Sequence, residues 1–165
     1  MFEAVFRALN DRGVRYLVAG GVAVVLHGHM RYTKDLDLVV DLAPQQARAA
    51  IEALSALGLV PSVPVDAMSF ADAETRQAWI REKDMTVLSL HHPEDARLVV
   101  ALFVEPPSNF EALWSASEEL PLQTTTVKVV SLDDLISMKR AAGRPRDMLD
   151  VEELEQIKRL KEDGV

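Results

Sequence analysis

Residues 18–41, VAGGVAVVLHGHMRYTKDLDLVVD, constrain this chain more than any other stretch. An apolar run, Tyr16, Leu17 and Val18, ends in Gly20-Gly21. A short apolar segment over 22–26 then reads as helix and stops near Gly28. The basic turn 31–34 leads into Asp35-Leu36-Asp37-Leu38-Val39-Val40. Side chains alternate along a strand, so Leu36, Leu38 and Val40 share one face and Asp35 and Asp37 point the other way, roughly 7 Å apart. Two carboxylates on one face with no base between them repel each other and favour a cation. Hard oxygen donors of this kind suit magnesium or manganese.

The paired glycines supply the other half of a phosphate site. A strand that ends in Gly-Gly before a helix lets backbone N–H groups approach an anion. Gly-Gly alone marks a tight turn, and Asp-x-Asp alone marks a solvated edge. Their order, with fifteen positions from Gly20 to Asp35, joins them into one expected site for a nucleoside triphosphate and its metal.

The order Gly-Gly, a short insertion and Asp-x-Asp in a strand resembles the nucleotidyltransferase fold of the DNA polymerase β superfamily. The fuller pattern GGVAVVLHG…RYTKDLDL is similar to small prokaryotic members, including the AbiEii-like toxins of toxin–antitoxin systems. The later segment KRAAGRPRDMLDVEEL also looks like theirs, so the resemblance spans nearly the whole chain. It implies an α+β nucleotidyltransferase fold, a mixed sheet flanked by helices with a C-terminal helical segment.

A chain of 165 residues fits one domain over 1–165 with a sizeable core. There is no apolar run of transmembrane length and no signal-peptide pattern, which leads to an expectation of a cytoplasmic protein without a membrane partner. Without cysteine, thiolate metal sites and disulfides are excluded. A net charge of −8 argues against non-specific coating of nucleic acid, where phosphate neutralisation dominates. Lys139, Arg140, Arg144 and Arg146 nevertheless form a local basic cluster.

Taken in order, Phe2, Val5, Phe6 and Leu9 predict a first helix that Gly13 ends, followed by a strand over 14–19. Pro44 opens a helix with the stripe Ala47, Ala50, Ile51, Leu54 and Leu57. Residues 59–68 read as a short strand and loop, and 72–83 as a polar helix anchored by Trp79 and Ile80. Strands follow over 85–90 and 97–104, joined by a turn at 91–95. The second is nearly all apolar, as in a central strand covered on both faces. Asn109 caps a helix over 110–119, and 127–130 is a short strand. Ser131 opens a helix to 142, and a last helix over 146–161 carries the stripe Leu149, Leu154, Ile157 and Leu160. His27 reads as a hydrogen-bonding residue of the fold, His91 and His92 as exposed turn residues, and Trp79 and Trp114 as packing residues.

The resemblance assigns Asp35 and Asp37 as magnesium ligands and catalytic carboxylates, with a third carboxylate expected from the strand 97–104. Ala101 occupies that third position, which departs from the family pattern. Glu105 lies four residues further on, about 13 Å along an extended strand, a long reach for a substitute. Gly20, Gly21, Thr33, Lys34 and Lys139 are the expected nucleotide-binding residues. Arg31, Arg144 and Arg146 are expected to contact phosphate or acceptor, and Asp147 and Asp150 to cap and to pair with Lys139, Arg144 and Arg146. The alternative for the lysine and arginines is solvation at helix ends.

The function implied is magnesium- or manganese-dependent transfer of a nucleoside monophosphate from a nucleoside triphosphate to an acceptor hydroxyl. Toxin-like members suggest RNA, especially tRNA, as acceptor and a cognate antitoxin as protein partner. The alternative is a catalytically inactive nucleotide- or partner-binding module of the same fold, and Ala101 is the residue that favours it.

Overall fold

A computed structural model describes residues 2–164. Seven strands form one mixed sheet in the order β3-β4-β5-β2-β1-β7-β6. In chain order they are β1 (Tyr16–Ala19), β2 (Leu36–Val40), β3 (Val60–Pro61), β4 (Val87–His92), β5 (Asp95–Phe103), β6 (Glu118–Pro121) and β7 (Thr126–Val129). The helices are α1 (Glu3–Asp11), α2 (Gly20–Leu26), α3 (Pro44–Ala56), α4 (Ala73–Lys83), α5 (Phe110–Ala116), α6 (Leu132–Ala142) and α7 (Pro145–Glu162). The architecture is α+β, and among the described residues no helix is long and apolar enough to cross a membrane.

Local chemistry sets the helix starts. Asp72 accepts the Thr75 backbone N–H at 3.0 Å, Asn109 that of Ala112 at 2.9 Å, and Ser131 that of Asp134 at 3.1 Å. Pro44 and Pro145 occupy the first helical positions of α3 and α7, where a missing N–H is harmless. Apolar faces then assemble the layers. Helix α1 packs on α3, α2 on α6, and α6 on α7. Leu36, Leu38, Val100 and Leu102 of the two central strands are fully buried.

The register of those strands positions the site. β2 runs antiparallel to β1, pairing Ala19 with Asp37, and parallel to β5, pairing Asp37 with Ala101. β5 runs antiparallel to β4, pairing Ala101 with Ser89. Paired residues point to the same side of a sheet, so Asp37, Ala101 and Ser89 form one row across three strands.

Several expectations are corrected. The continuous apolar run of β5 is not sealed on both faces, because Ala101 and Phe103 line an open cleft. His91 and His92 are half-buried residues of β4 rather than turn residues, and Ser62 Oγ lies 2.9 Å from His91 Nδ1. The helix expected over 110–119 stops at Ala116, where Ser117 turns extended, and Glu118–Pro121 pairs with β7 as an edge strand. Residues 67–71 form a 3-10 turn rather than loop. In α7 the expected stripe is wrong at both ends, since Leu149 is 62% and Leu160 is 47% exposed. Its buried side chains are Asp147, Asp150, Val151 and Leu154. Two acidic residues occupy the inward face because cations meet them there.

This assignment separates two leucines of one helix. Leu154→Ala, at a fully buried position, is expected to cost about 2–5 kcal/mol in urea denaturation. Leu149→Ser is expected to stay within about 0.5 kcal/mol of the parent. Equal losses at both positions would contradict this inward face of α7.

Candidate active site

The turn from β1 into α2 is where the site begins. Gly20 has φ +62°, a left-handed conformation that side chains rarely adopt, and a Cβ built there would overlap the Asp37 carboxylate. A Cβ on Gly21 would overlap Thr33 Oγ1 and lie 3.0 Å from an Arg31 guanidinium nitrogen. Both glycines are therefore demanded by close approach. They bring bare backbone against the Asp37 strand and the basic loop before it.

A cleft of about 790 Å³ opens over this turn. Gly20, Gly21, Arg31, Thr33, Lys34, Asp35, Asp37, Ala101, Lys139, Arg144 and Arg146 all line it. The sequence-derived candidates thus converge on one cavity from β1–α2, the loop before β2, β5, α6 and the α6–α7 turn. Glu105 is exposed beyond the end of β5 and does not line the cleft. Ala101 lies at the floor, in register with Asp37, where its methyl group offers no oxygen.

Asp35 and Asp37 carry the electrostatic strain. Asp35 Oδ1 is buried with no hydrogen-bond partner among the described residues. Burial, and then the negative charge of Asp35, push the Asp37 carboxyl up to about 6, against smaller opposing effects of Lys139, Arg144 and Arg31. An unpartnered buried oxygen beside a carboxyl that resists ionisation is a donor set that could hold a cation, and hard oxygen donors suit a divalent one. Among the described residues no third His, Cys, Asp or Glu joins them in a metal-ligating group.

The cations of the cleft come from α6, the α6–α7 turn and the loop before β2, and two carboxylates of α7 pair with them. Lys139 is 7% exposed, which removes the solvated-helix-end reading for this residue. Its Nζ lies 3.3 Å from Asp147 Oδ1 and 3.0 Å from Asp150 Oδ2. Arg31 Nη2 donates to the same Asp150 Oδ2 at 2.9 Å, and Arg144 Nε donates to Asp147 Oδ2 at 2.7 Å. Burial works to raise the Asp147 pKa, but the hydrogen bonds from Arg144 and Lys139 hold it below the usual carboxylate range. Arg146 Nη2 donates to the Tyr32 carbonyl at 2.7 Å, fastening the basic loop to α7. His27 does what its sequence position implied, with Nε2 2.8 Å from the Val130 carbonyl.

Asp150 and Ser89 escaped the site reading. Asp150 lies 119 residues from Arg31, and only the pairing of acids with a basic cluster hinted at it. Ser89, which also lines the cleft, has no signal beyond strand alternation.

The Asp37 environment gives a pH dependence of fixed sign. Its folded value of about 6 lies above the ordinary 3.8, so the folded state holds the extra proton between these values. The stability from that proton is complete below about pH 4 and is lost as pH rises through 6. At pH 7.5, Asp37→Asn is expected to stabilise the metal-free protein by about 2 kcal/mol and flatten this part of the profile. Urea denaturation from pH 4 to 8 measures it, and a destabilised variant at pH 7.5 would contradict the assignment.

Residues 3–164 match the family model described as a nucleotidyltransferase of unknown function, DUF6036. No curated protein matches the chain in sequence. Among solved structures, the lincosamide antibiotic adenylyltransferase LnuA, lincomycin-bound, aligns with TM-score 0.61 and 17% identity, over 95% of this chain and 98% of that one. ANT(2")-Ia in complex with adenylyl-2"-tobramycin aligns with TM-score 0.59 and 13% identity, over 98% and 93%. An antigenic nucleotidyltransferase-like protein from Paracoccidioides brasiliensis aligns with TM-score 0.58 and 16% identity, over 96% and 74%. At these identities the likeness is one of fold, and it matches the mixed sheet described above. The family model covers nearly the whole chain, which therefore belongs to the DUF6036 nucleotidyltransferases.

Proposed function

We propose that the chain moves a nucleoside monophosphate from a nucleoside triphosphate to an acceptor hydroxyl, in the cleft between the Gly20-Gly21 turn and α6–α7. The observation that carries this reading is the convergence of an unsatisfied carboxylate pair, bare glycine backbone and a cation wall on one cavity. Asp35 and Asp37 would hold magnesium or manganese. When bound, such a cation neutralises triphosphate oxygens and the leaving pyrophosphate.

The chain's own groups supply the rest. Gly20 and Gly21 let phosphate oxygens come close to the backbone. Lys139, Arg31 and Arg144 face the developing charge as preorganised donors, which is the larger part of phosphoryl-transfer catalysis. Thr33 and Lys34 border the same turn. At Ala101 no carboxylate can accept the proton of the attacking hydroxyl, so that proton passes to solvent and transfer is slow. This one residue also supports the second reading, a module that binds nucleotide without transferring it.

The acceptor class is drawn from two sources. The solved relatives hold lincomycin and adenylyl-2"-tobramycin, which supports a hydroxyl of a small molecule. The resemblance to AbiEii-like toxins supports RNA, especially tRNA, with a cytoplasmic setting and a cognate antitoxin as partner. Labelled triphosphates, magnesium and both acceptor pools test the reading together. Magnesium and triphosphate are expected to raise the melting temperature of the parent, with slow label transfer. Asp35→Asn with Asp37→Asn is expected to abolish both. Ala101→Asp is expected to raise transfer by about 10²-fold or more, the usual worth of a general base. A double variant that responds to magnesium and triphosphate like the parent would overturn the metal ligands. An Ala101→Asp variant that loses stability without gaining transfer would show that Ala101 is only a packing residue.

A further inference from the structure

The nucleotide reading leaves Asp150 unexplained. This carboxylate sits on the inward face of α7, 2% exposed, and is neither at the paired-carboxylate end of the cleft nor a helix cap. Its Oδ2 accepts from Arg31 Nη2 at 2.9 Å and lies 3.0 Å from Lys139 Nζ. One oxygen thus joins cations from two elements far apart in sequence, the loop before β2 and α6.

The consequences reach the glycine turn. The Arg31 guanidinium that Asp150 holds lies 3.0 Å from where a Gly21 Cβ would stand. Its Nη1 donates to the Tyr32 carbonyl at 2.8 Å, while its Nε is buried with no partner among the described residues. A buried guanidinium N–H without an acceptor is costly, and it belongs to a side chain that lines the cleft. Charge points the same way. Among the described residues the three cations Arg31, Lys139 and Arg144 form ion pairs with the two carboxylates Asp147 and Asp150, so this group keeps an excess positive charge.

We propose, resting on the nucleotide reading above, that Asp150 is a positioning residue that clamps Arg31 and Lys139 into one triphosphate subsite. It thereby sets the preference for a nucleoside triphosphate over a diphosphate. Two cations held at a fixed separation recognise the position of a terminal phosphoryl group. The same two cations on loose side chains recognise only negative charge.

Calorimetry with ATP and ADP, each with magnesium, and with inorganic phosphate tests this. The parent is expected to prefer ATP to ADP by about tenfold or more, the worth of a charge-assisted hydrogen bond. In Asp150→Asn one negative charge leaves the wall, so inorganic phosphate binds at least as tightly as before. The ATP preference nevertheless falls to about threefold or less, because the clamp is gone. Asp150→Glu, which keeps the charge, is expected to recover most of the preference. The fold is expected to tolerate these changes, since Lys139 keeps Asp147 and Arg31 keeps the Tyr32 carbonyl. Arg31→Gln removes the clamp from its other end and is expected to show the same loss of preference. Unchanged discrimination in Asp150→Asn and Arg31→Gln would overturn the proposal while leaving the nucleotide reading intact. Equal weakening of all three ligands with a lowered melting temperature would also overturn it, leaving Asp150 as a structural staple. A parent that binds neither nucleotide would remove the nucleotide reading itself, and this inference with it.

Discussion

The contact between the Gly20 backbone and the Asp37 carboxylate is what the geometry of the cleft follows from. It is fixed by the antiparallel register that sets Ala19 against Asp37. The residue after Ala19 must turn away beside that carboxylate, and only a glycine at positive φ leaves room for it. The same closeness buries Asp37 beside Asp35 and raises its pKa. The glycine turn and the carboxylate pair are therefore one piece of geometry.

Around that contact the protein opposes two charge populations. The sheet side presents Asp35 and Asp37, and α6–α7 presents Lys139 and Arg144, with Arg31 reaching across from the loop. Buried charges of this density are tolerable only when paired and hydrogen-bonded. Asp147 and Asp150 provide the pairing for the cations. The carboxylate pair has no such provision among the described residues, where Asp35 Oδ1 finds no hydrogen-bond partner. That asymmetry sets the carboxylate pair apart from the paired network on α7 and supports the binding role proposed for it. Arg31, Lys139 and Arg144 all line the cleft in a chain whose net charge is −8.

What was legible in the sequence was local. The period of two in Leu36, Leu38 and Val40, and the glycines ahead of an apolar helix, identified β2, α2 and the carboxylate pair. Ala101 was placed by the resemblance to the family's strand pattern, and the parallel register sets it against Asp37. Periodicity failed where polar residues turned inward. On α7 the apolar stripe pointed to Leu149 and Leu160, yet ion pairs with Arg31, Lys139 and Arg144 draw Asp147 and Asp150 inside instead. Such pairing rests on partners up to 119 residues away and leaves no periodic trace. β6 was missed for a different reason. Its residues, Glu118 to Pro121, read as the polar end of a helix, and only pairing with β7 makes them a strand.

A divalent cation held by Asp35 and Asp37, touching a triphosphate that lies on the Gly20-Gly21 turn, can be located without reference to activity. A crystal structure with manganese and a non-hydrolysable triphosphate does so, because the anomalous signal of manganese marks the ion itself. One manganese peak is expected between the two carboxylates, with oxygen ligands at about 2.0–2.3 Å and phosphates against the glycine backbone. Manganese bound elsewhere, or a triphosphate lodged away from Gly20 and Gly21 with the carboxylate pair left bare, would contradict it.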